Sequence, residues 1–201
     1  MTATATSATK RKILDSLNIN SEDVVTVERS PDRPNIKYVV NYMDKAQPLE
    51  ETFGSLIKEV ENKGLETSRT LIYCQTRKQC AVLFRVFEVY LGNNLYDGLN
   101  KSPKKRLVEM FHAGNPDSVK ENIYETMSTE SGRVRVLIST IAFGMGVNCK
   151  GVRRIVHFGP SKSVEEYVQE CGRSGRDGEP SICVLLYNGL LSAHCEVCYQ
   201  K

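Results

Sequence analysis

The stretch QECGRSGRDG, residues 169–178, carries the side chains of this sequence best suited to chemistry. It places Gln169, Arg173 and Arg176 among three glycines. A guanidinium is planar, always charged and rich in N–H donors, which suits it to bind phosphate. Glycines disfavour a continuous helix and let the backbone approach another group closely. The pattern is compatible with a phosphate site and also with a solvated basic turn.

The residues before this stretch predict a helix that would present it. Ser163 and Glu166 have the spacing of a capping box. By helical periodicity Gln169 lies opposite the apolar side, and Arg173 and Arg176 share its face if the helical turn persists. The stripe expected to face the core is Val164, Tyr167, Val168 and Cys171.

Two further segments end a predicted buried strand in polar residues. Residues 133–148, RVRVLISTIAFGMGVN, end a strand at Ser139 and Thr140 and continue into a turn with Gly144 and Gly146. Ligands of open α/β sheets sit at the carboxyl ends of strands, where these hydroxyls could contact phosphate or sugar. The alternative is an ordinary turn that needs glycine for its backbone angles alone.

The other segment is TLIYCQTRKQ, residues 70–79. Its strand ends at Gln75, Thr76 and Arg77, before a predicted helix that Thr76 could cap. The amino end of that helix, together with Arg77, could bind a phosphate. The alternative is a capped helix with a surface arginine.

The remaining elements predict an α/β fold with a parallel sheet, since continuously apolar strands alternate with amphipathic helices. One helix is expected over 77–91, and a second is expected to start at Asn115 and Pro116. Residues 92–106 suggest an exposed loop. Expected strands are 24–28, 35–40, 70–75, 133–140, 152–158 and 181–187; expected core positions of the helices are Ala81, Phe84, Val86, Val89, Val119, Ile123 and Met127.

Composition allows one domain, or one domain with extensions, in 201 residues that are 40% apolar. A net charge of +3 permits a local basic groove without requiring nucleic acid. The seven cysteines predict free, mostly buried thiols in a reducing compartment. Cys195 and Cys198 alone have C-x-x-C spacing, a weak signal for zinc, and no metal ligand is assigned. We see no secretory signal and no run of ~20 apolar residues, so no membrane association is expected.

Taken in order, these segments resemble the second RecA-like lobe of a superfamily-2 helicase of the RecQ type. QECGRSGRDG resembles motif VI, IAFGMGVN motif V and LIYCQTR motif IV. FHAG (111–114) resembles the strand and turn between them, DRPN (32–35) the entry to the lobe and TATAT (2–6) the motif that ends the first lobe. The resemblance runs from residue 2 to about residue 190. The wording around Glu170 departs from the H-R-x-G-R-x-G-R pattern of DEAD-box RNA helicases.

The resemblance implies a RecA-like parallel sheet flanked by helices. It implies three regions: 1–30 as the end of the first lobe and a linker, 31–190 as the C-terminal RecA-like domain, and 191–201 as the start of a following region. It assigns nucleotide contacts to Arg173, Arg176, Asn148 and Gly146. Of these, Arg176 would be the arginine finger on the γ-phosphate, with Arg173 and Gln169 beside it as catalytic residues. Contacts with a nucleic-acid strand are assigned to Thr76, Arg77, His112, Ser139 and Thr140.

The resemblance also implies partners. The sequence contains neither a G-x-x-x-x-G-K-[ST] phosphate loop nor a D-E-x-[HD] magnesium motif. ATP and Mg²⁺ would therefore be held mainly by the first helicase lobe of the same parent protein, a nuclear 3′→5′ DNA helicase acting on single-stranded or partly duplex DNA. The chain alone is expected to lack ATPase activity. Two other classes stay open: a non-enzymatic module that binds nucleic acid or a partner, and an RNA helicase.

Overall fold

A computed structural model describes residues 7–20, 24–25, 32–44, 46–98, 101–140, 143 and 148–189. By compactness the chain divides into residues 1–34 and 35–201. In the described part of the first unit there is one helix, α1 (Ser7–Leu17), which has no buried residue. Residues 2–6, most of the predicted strand at 24–28, Gly144, Gly146, Cys195 and Cys198 lie outside the described residues. The predicted domain bounds stay predictions.

The second unit is built on a six-stranded sheet in which all described strand pairs are parallel. The strand order is β1-β6-β5-β2-β4-β3. The central strands β2 and β4 are buried at every position, because helices cover both faces of the sheet. The strands are β1 (Ile36–Tyr42), β2 (Arg69–Cys74), β3 (Val108–Phe111), β4 (Val136–Ser139), β5 (Val152–Phe158) and β6 (Ser181–Tyr187).

The helices of this unit form two layers. Helices α3 and α4 pack on the face that carries Ile72 and Ile138, and α5 and α6 pack on the face that carries Leu71 and Leu137. The predicted α/β class with a helix-flanked parallel sheet is confirmed. The helices are α2 (Leu49–Thr52), α3 (Gly54–Lys63), α4 (Arg77–Leu91), α5 (Asp117–Ser128) and α6 (Val164–Cys171).

The predicted core face of α4 is wrong, although the bounds of the helix agree. The buried stripe is Cys80, Leu83, Phe87 and Leu91. Phe84 and Val86 pack at its margin, whereas Val89 is 59% exposed. Apolar residues occur on every side of this helix, so periodicity alone does not select one face. In α6 Val164 is likewise exposed, and the stripe begins at Tyr167 and ends at the buried Cys171.

The expected exposed loop over 92–106 contains regular structure in its described parts, 92–98 and 101–106. Two 3₁₀ turns, Gly92–Leu95 and Pro103–Lys105, flank an antiparallel bridge between Tyr96 and Arg106. Leu95 is 1% exposed, and its carbonyl accepts a hydrogen bond of 2.8 Å from the amide of Leu107. The segment is therefore anchored to the core at the start of β3. This strand is four residues long and was not predicted from the sequence.

Candidate nucleotide and nucleic-acid site

The centre of the sheet has a crevice at the carboxyl ends of β2 and β5. From β2 the chain passes to α4 on one face, and from β5 it passes to α6 on the other. Such a switch point is where open α/β sheets bind ligands. A cavity of about 300 Å³ opens there. It is lined by Tyr73, Cys74, Gln75, Thr76, His157, Gly159, Pro160, Ser161, Lys162 and Glu170.

One wall of the crevice begins helix α4. Thr76 Oγ1 accepts a hydrogen bond of 3.1 Å from the Gln79 amide, and Gln79 Oε1 accepts one of 3.2 Å from the Thr76 amide. This capping box confirms the predicted cap. The Thr76 side chain is exposed, and its hydroxyl proton stays available to a ligand oxygen. Gln75 Nε2 crosses the crevice to donate to the Pro160 carbonyl at 3.0 Å.

Arg77 and His112 are both assigned to nucleic acid by the sequence. Arg77 begins α4 and His112 follows β3, and their side chains meet beside Gly114. His112 Nδ1 accepts a hydrogen bond of 3.1 Å from the Gly114 amide, so in the neutral ring Nε2 carries the proton and can donate outward. A Cβ added at Gly114 would lie 3.3 Å from His112 Nδ1 and 3.6 Å from Arg77 Nη1. Glycine therefore lets the ring and the guanidinium share this surface.

Ser139 and Thr140 end the neighbouring strand β4, but they differ in access. Ser139 is 1% exposed, and its Oγ donates to the Thr140 carbonyl at 2.7 Å. Thr140 is half-buried, and its amide donates to the Phe111 carbonyl at 3.3 Å. Thr140 is therefore within reach of a bound strand, whereas the Ser139 hydroxyl is occupied beneath the surface.

Helix α6, which begins the segment resembling motif VI, ends earlier than the periodicity suggested. Ser163 Oγ caps α6 by accepting from the Glu166 amide at 3.2 Å, and the helix ends at Cys171. Gly175 has φ +56°, and a Cβ there would lie 2.4 Å from Asn35 Nδ2. This close approach explains the glycine. Because the helix ends at Cys171, Arg173 and Arg176 do not share a helical face with Gln169, which is exposed on α6.

The turn that follows α6 is held at the amino ends of the strands. Asn35 Nδ2 donates to the carbonyls of Gly175 and Glu179, both at 2.9 Å. The Gly175 amide donates at 3.1 Å to the carbonyl of Val152, the first residue of β5. The turn therefore lies at the opposite edge of the sheet from the crevice.

Arg176 is exposed yet held in place. Its Nη1 donates to Asn148 Oδ1 at 2.7 Å, and its Nε donates to the Gly172 carbonyl at 3.3 Å. The next residue, Asp177, forms a bidentate pair with Arg153 at 2.8 and 2.7 Å. Hydrogen bonding to Arg153 lowers the pKa of Asp177. The segments resembling motifs V and VI are thus joined through Arg176.

Arg173 is half-buried, and its charge acts on Cys149. Burial raises the pKa of the Cys149 thiol, and the positive charges of Arg173 and Arg176 act in the opposite direction on it. Both guanidiniums therefore lie close enough to Cys149 to influence its charge. Because Cys149 follows Asn148 directly, three of the residues assigned to nucleotide contacts are gathered in one region; Gly146, the fourth, lies outside the described residues.

A buried pair that sequence reasoning missed anchors α6 to the sheet. Glu170 Oε2 accepts hydrogen bonds from Ser161 Oγ at 2.6 Å and from His157 Nε2 at 2.9 Å. The His157 ring stacks on Tyr73, with ring centroids 5.4 Å apart. His157 lies in the middle of an apolar strand sequence, which gave no sign that it would meet a motif VI carboxylate.

Among the residues that the structure describes, no group of three or more His, Cys, Asp or Glu side chains could hold a metal ion. None of the described helices combines the length and hydropathy required to cross a bilayer. Five cysteines are free and buried, as predicted: Cys74, Cys80, Cys149, Cys171 and Cys183.

The chain is similar to known helicases in sequence and in fold. The family described as helicase conserved C-terminal domain matches residues 50–178. The chain is 34% identical over 187 residues to the ATP-dependent DNA helicase RecQ of Pasteurella multocida, covering 93% of this chain and 26% of that protein. It is 30% identical to a putative ATP-dependent RNA helicase of Acanthamoeba polyphaga mimivirus, covering 94% of this chain and 30% of that protein.

A solved structure has the same fold. Saccharomyces cerevisiae Dbp5 bound to RNA and ADP BeF3 superposes with a TM-score of 0.63 at 20% identity, over 99% of this chain and 47% of that one. The chain spans 26% and 30% of the lengths of the two curated relatives named above. The family match over most of the chain shows that this chain belongs to the helicase conserved C-terminal domain family, and its sequence is similar to RecQ DNA helicases.

Proposed function

We propose that this chain is the second motor lobe of an ATP-dependent 3′→5′ DNA helicase. It would supply an arginine to a nucleotide held by the first lobe and bind the DNA strand along which the protein moves. The observation that carries the proposal is the hydrogen bond between Arg176 and Asn148. It joins the segments that resemble motifs V and VI at the amino ends of the strands, where Arg176 is exposed. The candidates for strand binding lie at the carboxyl ends.

The nucleotide side of the proposal depends on Arg176. Its guanidinium is exposed and already oriented by Asn148 and the Gly172 carbonyl. A preorganised positive charge stabilises the charge that develops on a transferring phosphoryl group. Arg173 would contact phosphate or hold the lobe interface, and Gln169 would orient the pair. ATP and Mg²⁺ would be held mainly by the first lobe, since this sequence lacks the phosphate loop and the magnesium motif.

The strand side depends on the carboxyl edge of the sheet. Arg77 and His112 offer outward donors beside Gly114. Thr76 and the amino end of α4 lie next to them, and Thr140 comes directly after β4. Such groups suit phosphates and carry no sequence information. Ser139 would act indirectly, by holding the Thr140 carbonyl. ATP-driven closure of the two lobes would then move the strand past these contacts.

We propose DNA rather than RNA for two reasons. The sequence of residues 169–178 resembles the RecQ form of motif VI, and several of the relatives are named as DNA helicases. The mimivirus relative, named as a putative RNA helicase, makes the choice worth testing directly. Binding of matched single-stranded DNA and RNA oligonucleotides by one preparation decides it. Equal or tighter RNA binding would contradict the DNA assignment.

The central test uses the chain joined behind the first lobe of the Pasteurella multocida relative. Arg176→Ala should lower kcat for ATP by about 10³–10⁵-fold while ATP binding changes little, because the first lobe would hold most of the nucleotide. Arg176→Lys should rescue poorly, since an ammonium lacks the planar fork. Arg85→Ala is the matched control, because Arg85 is exposed on α4 and pairs only locally with Glu88.

Melting temperature and DNA affinity are measured on the same preparations. A stable Arg176→Ala protein with near-normal turnover would remove Arg176 from the catalytic role. Loss of DNA binding together with a lower melting temperature would instead indicate a residue that holds the fold.

A further inference from the structure

Arg69, the first residue of β2, is a buried cation that the function described above does not use. It is 2% exposed, and the hydrogen bonds described for it all go to backbone carbonyls. Burial and the charge of Arg135 lower its pKa to about 10, so it stays protonated at neutral pH. The accepting residues are Thr126, Met127, Thr129, Glu130, Gly132, Val134 and Lys150.

These carbonyls explain how a buried charge is tolerated. Several belong to the last turn of α5 and the residues just after it, where unsatisfied carbonyls give a helix its negative end. The chain wraps tightly around the guanidinium: a Cβ added at Gly132 would lie 1.6 Å from the Thr126 carbonyl oxygen and 3.0 Å from Arg69 Nη2. A compact donor with fewer N–H groups could not reach all of these carbonyls.

Six of the seven acceptors lie in residues 126–134, and the seventh, Lys150, leads toward Arg176. Arg69 Nη1 donates to the Lys150 carbonyl at 2.5 Å, and the Lys150 amide donates to the Met127 carbonyl at 3.0 Å. The Lys150 amide is therefore bound to α5, and the Lys150 carbonyl is bound to Arg69. Two residues earlier, Asn148 Oδ1 accepts the 2.7 Å hydrogen bond from Arg176.

We propose that Arg69 is a positioning residue for Arg176: by holding Lys150 against the end of α5, it sets the place of Asn148 and through it the Arg176 guanidinium. The positioning itself follows from these contacts. Its importance for turnover rests on the proposed function of Arg176.

The test uses the 201-residue chain with three variants, Arg69→Met, Arg69→Lys and Arg135→Met. Arg135 is the matched control, because its guanidinium also donates to the Gly132 carbonyl but makes no described contact with Lys150. The two readouts are hydrogen exchange at the Lys150 amide, relative to Ile155 within β5, and the NMR signal of the Arg176 side-chain N–H groups. Neither readout requires ATP or DNA.

Arg69→Met should speed exchange at Lys150 by about tenfold or more relative to Ile155 and shift the Arg176 signal, since a charge-assisted contact holding the segment is lost. Arg69→Lys should give an intermediate result, because three N–H groups replace the fork. Arg135→Met should leave both readouts unchanged.

A folded Arg69→Met protein with unchanged Lys150 exchange and Arg176 signal would overturn the proposal. If Arg69→Met does not fold, Arg69→Lys decides: a change confined to Lys150 and Arg176 supports positioning, and no change, or an equal change at Ile155, overturns it. In the two-lobe protein Arg69→Lys should lower kcat more than it changes KM for ATP. If Arg176→Ala leaves kcat intact while both readouts respond to Arg69, the proposed function fails and the positioning stands.

Discussion

Gly175→Ala tests the geometry of the motif VI turn most sharply. The substitution places a Cβ 2.4 Å from Asn35 Nδ2 and 2.9 Å from the Glu179 carbonyl oxygen, at φ +56°. The left-handed backbone costs an alanine about 1–2 kcal/mol. Moving the Asn35 amide away disrupts two hydrogen bonds, each worth about 0.5–1.5 kcal/mol. We therefore expect Gly175→Ala to lower the free energy of unfolding by about 2–5 kcal/mol.

Gly178→Ala is the matched control. Gly178 lies three residues further on at φ +87°, but a Cβ there meets nothing within 4 Å. Its cost should be confined to the backbone, about 1–2 kcal/mol. Urea unfolding of both variants measures the difference, and in an Asn35→Ala background the excess cost of Gly175→Ala should shrink. Equal losses for the two glycines, or an excess cost unaffected by Asn35→Ala, would refute the close-approach explanation.

Three further outcomes are expected. Burial raises the pKa of Glu109 to about 7, above its value in the unfolded chain, so its contribution to stability is present at acid pH and lost as pH rises through 7. Glu109→Gln should remove this loss. Unfolding curves of both proteins at pH 5 and pH 8 measure it, and an equal fall in the free energy of unfolding for both proteins would contradict the prediction. Arg77→Ala should weaken single-stranded DNA binding and lower its salt dependence by about one phosphate contact, whereas Arg85→Ala should not; anisotropy at two salt concentrations measures both. The isolated chain should hydrolyse no ATP, and DNA-stimulated turnover by pure protein would contradict this.

The strands were largely predictable from the sequence, because central parallel strands are buried on both faces and read as continuous apolar runs. Strand β3 was not, since it is four residues long and includes Glu109. Helix α3 has a signal in the sequence, because the spacing of Leu56, Ile57 and Val60 places them on one side of a helix. The face of α4 could not be assigned because Val82 and Val89 are apolar and exposed.

The candidate site was only partly predictable. Arg176 and Arg77 are predicted from residue type and from resemblance to motifs, and they stay predictions. Asn35 and Arg153, which hold the turn around Arg176, were not, because their partners are distant in sequence. Arg69 stands just before the predicted strand 70–75 and was assigned no role from the sequence, and only the fold reveals the carbonyls that surround it.

The strand order also has a consequence for synthesis. Strand β1 pairs only with β6 among the described strands, and Asn35 bonds to a carbonyl 140 positions later. At about 5–20 residues per second, a ribosome needs roughly 7–30 s to make the intervening chain. During that time the edge of β5 that β6 will cover, and both edges of β1, are open to other strands. A nascent chain arrested before residue 181 would thus be a substrate for chaperones, and completion of β6 is the event that closes the sheet.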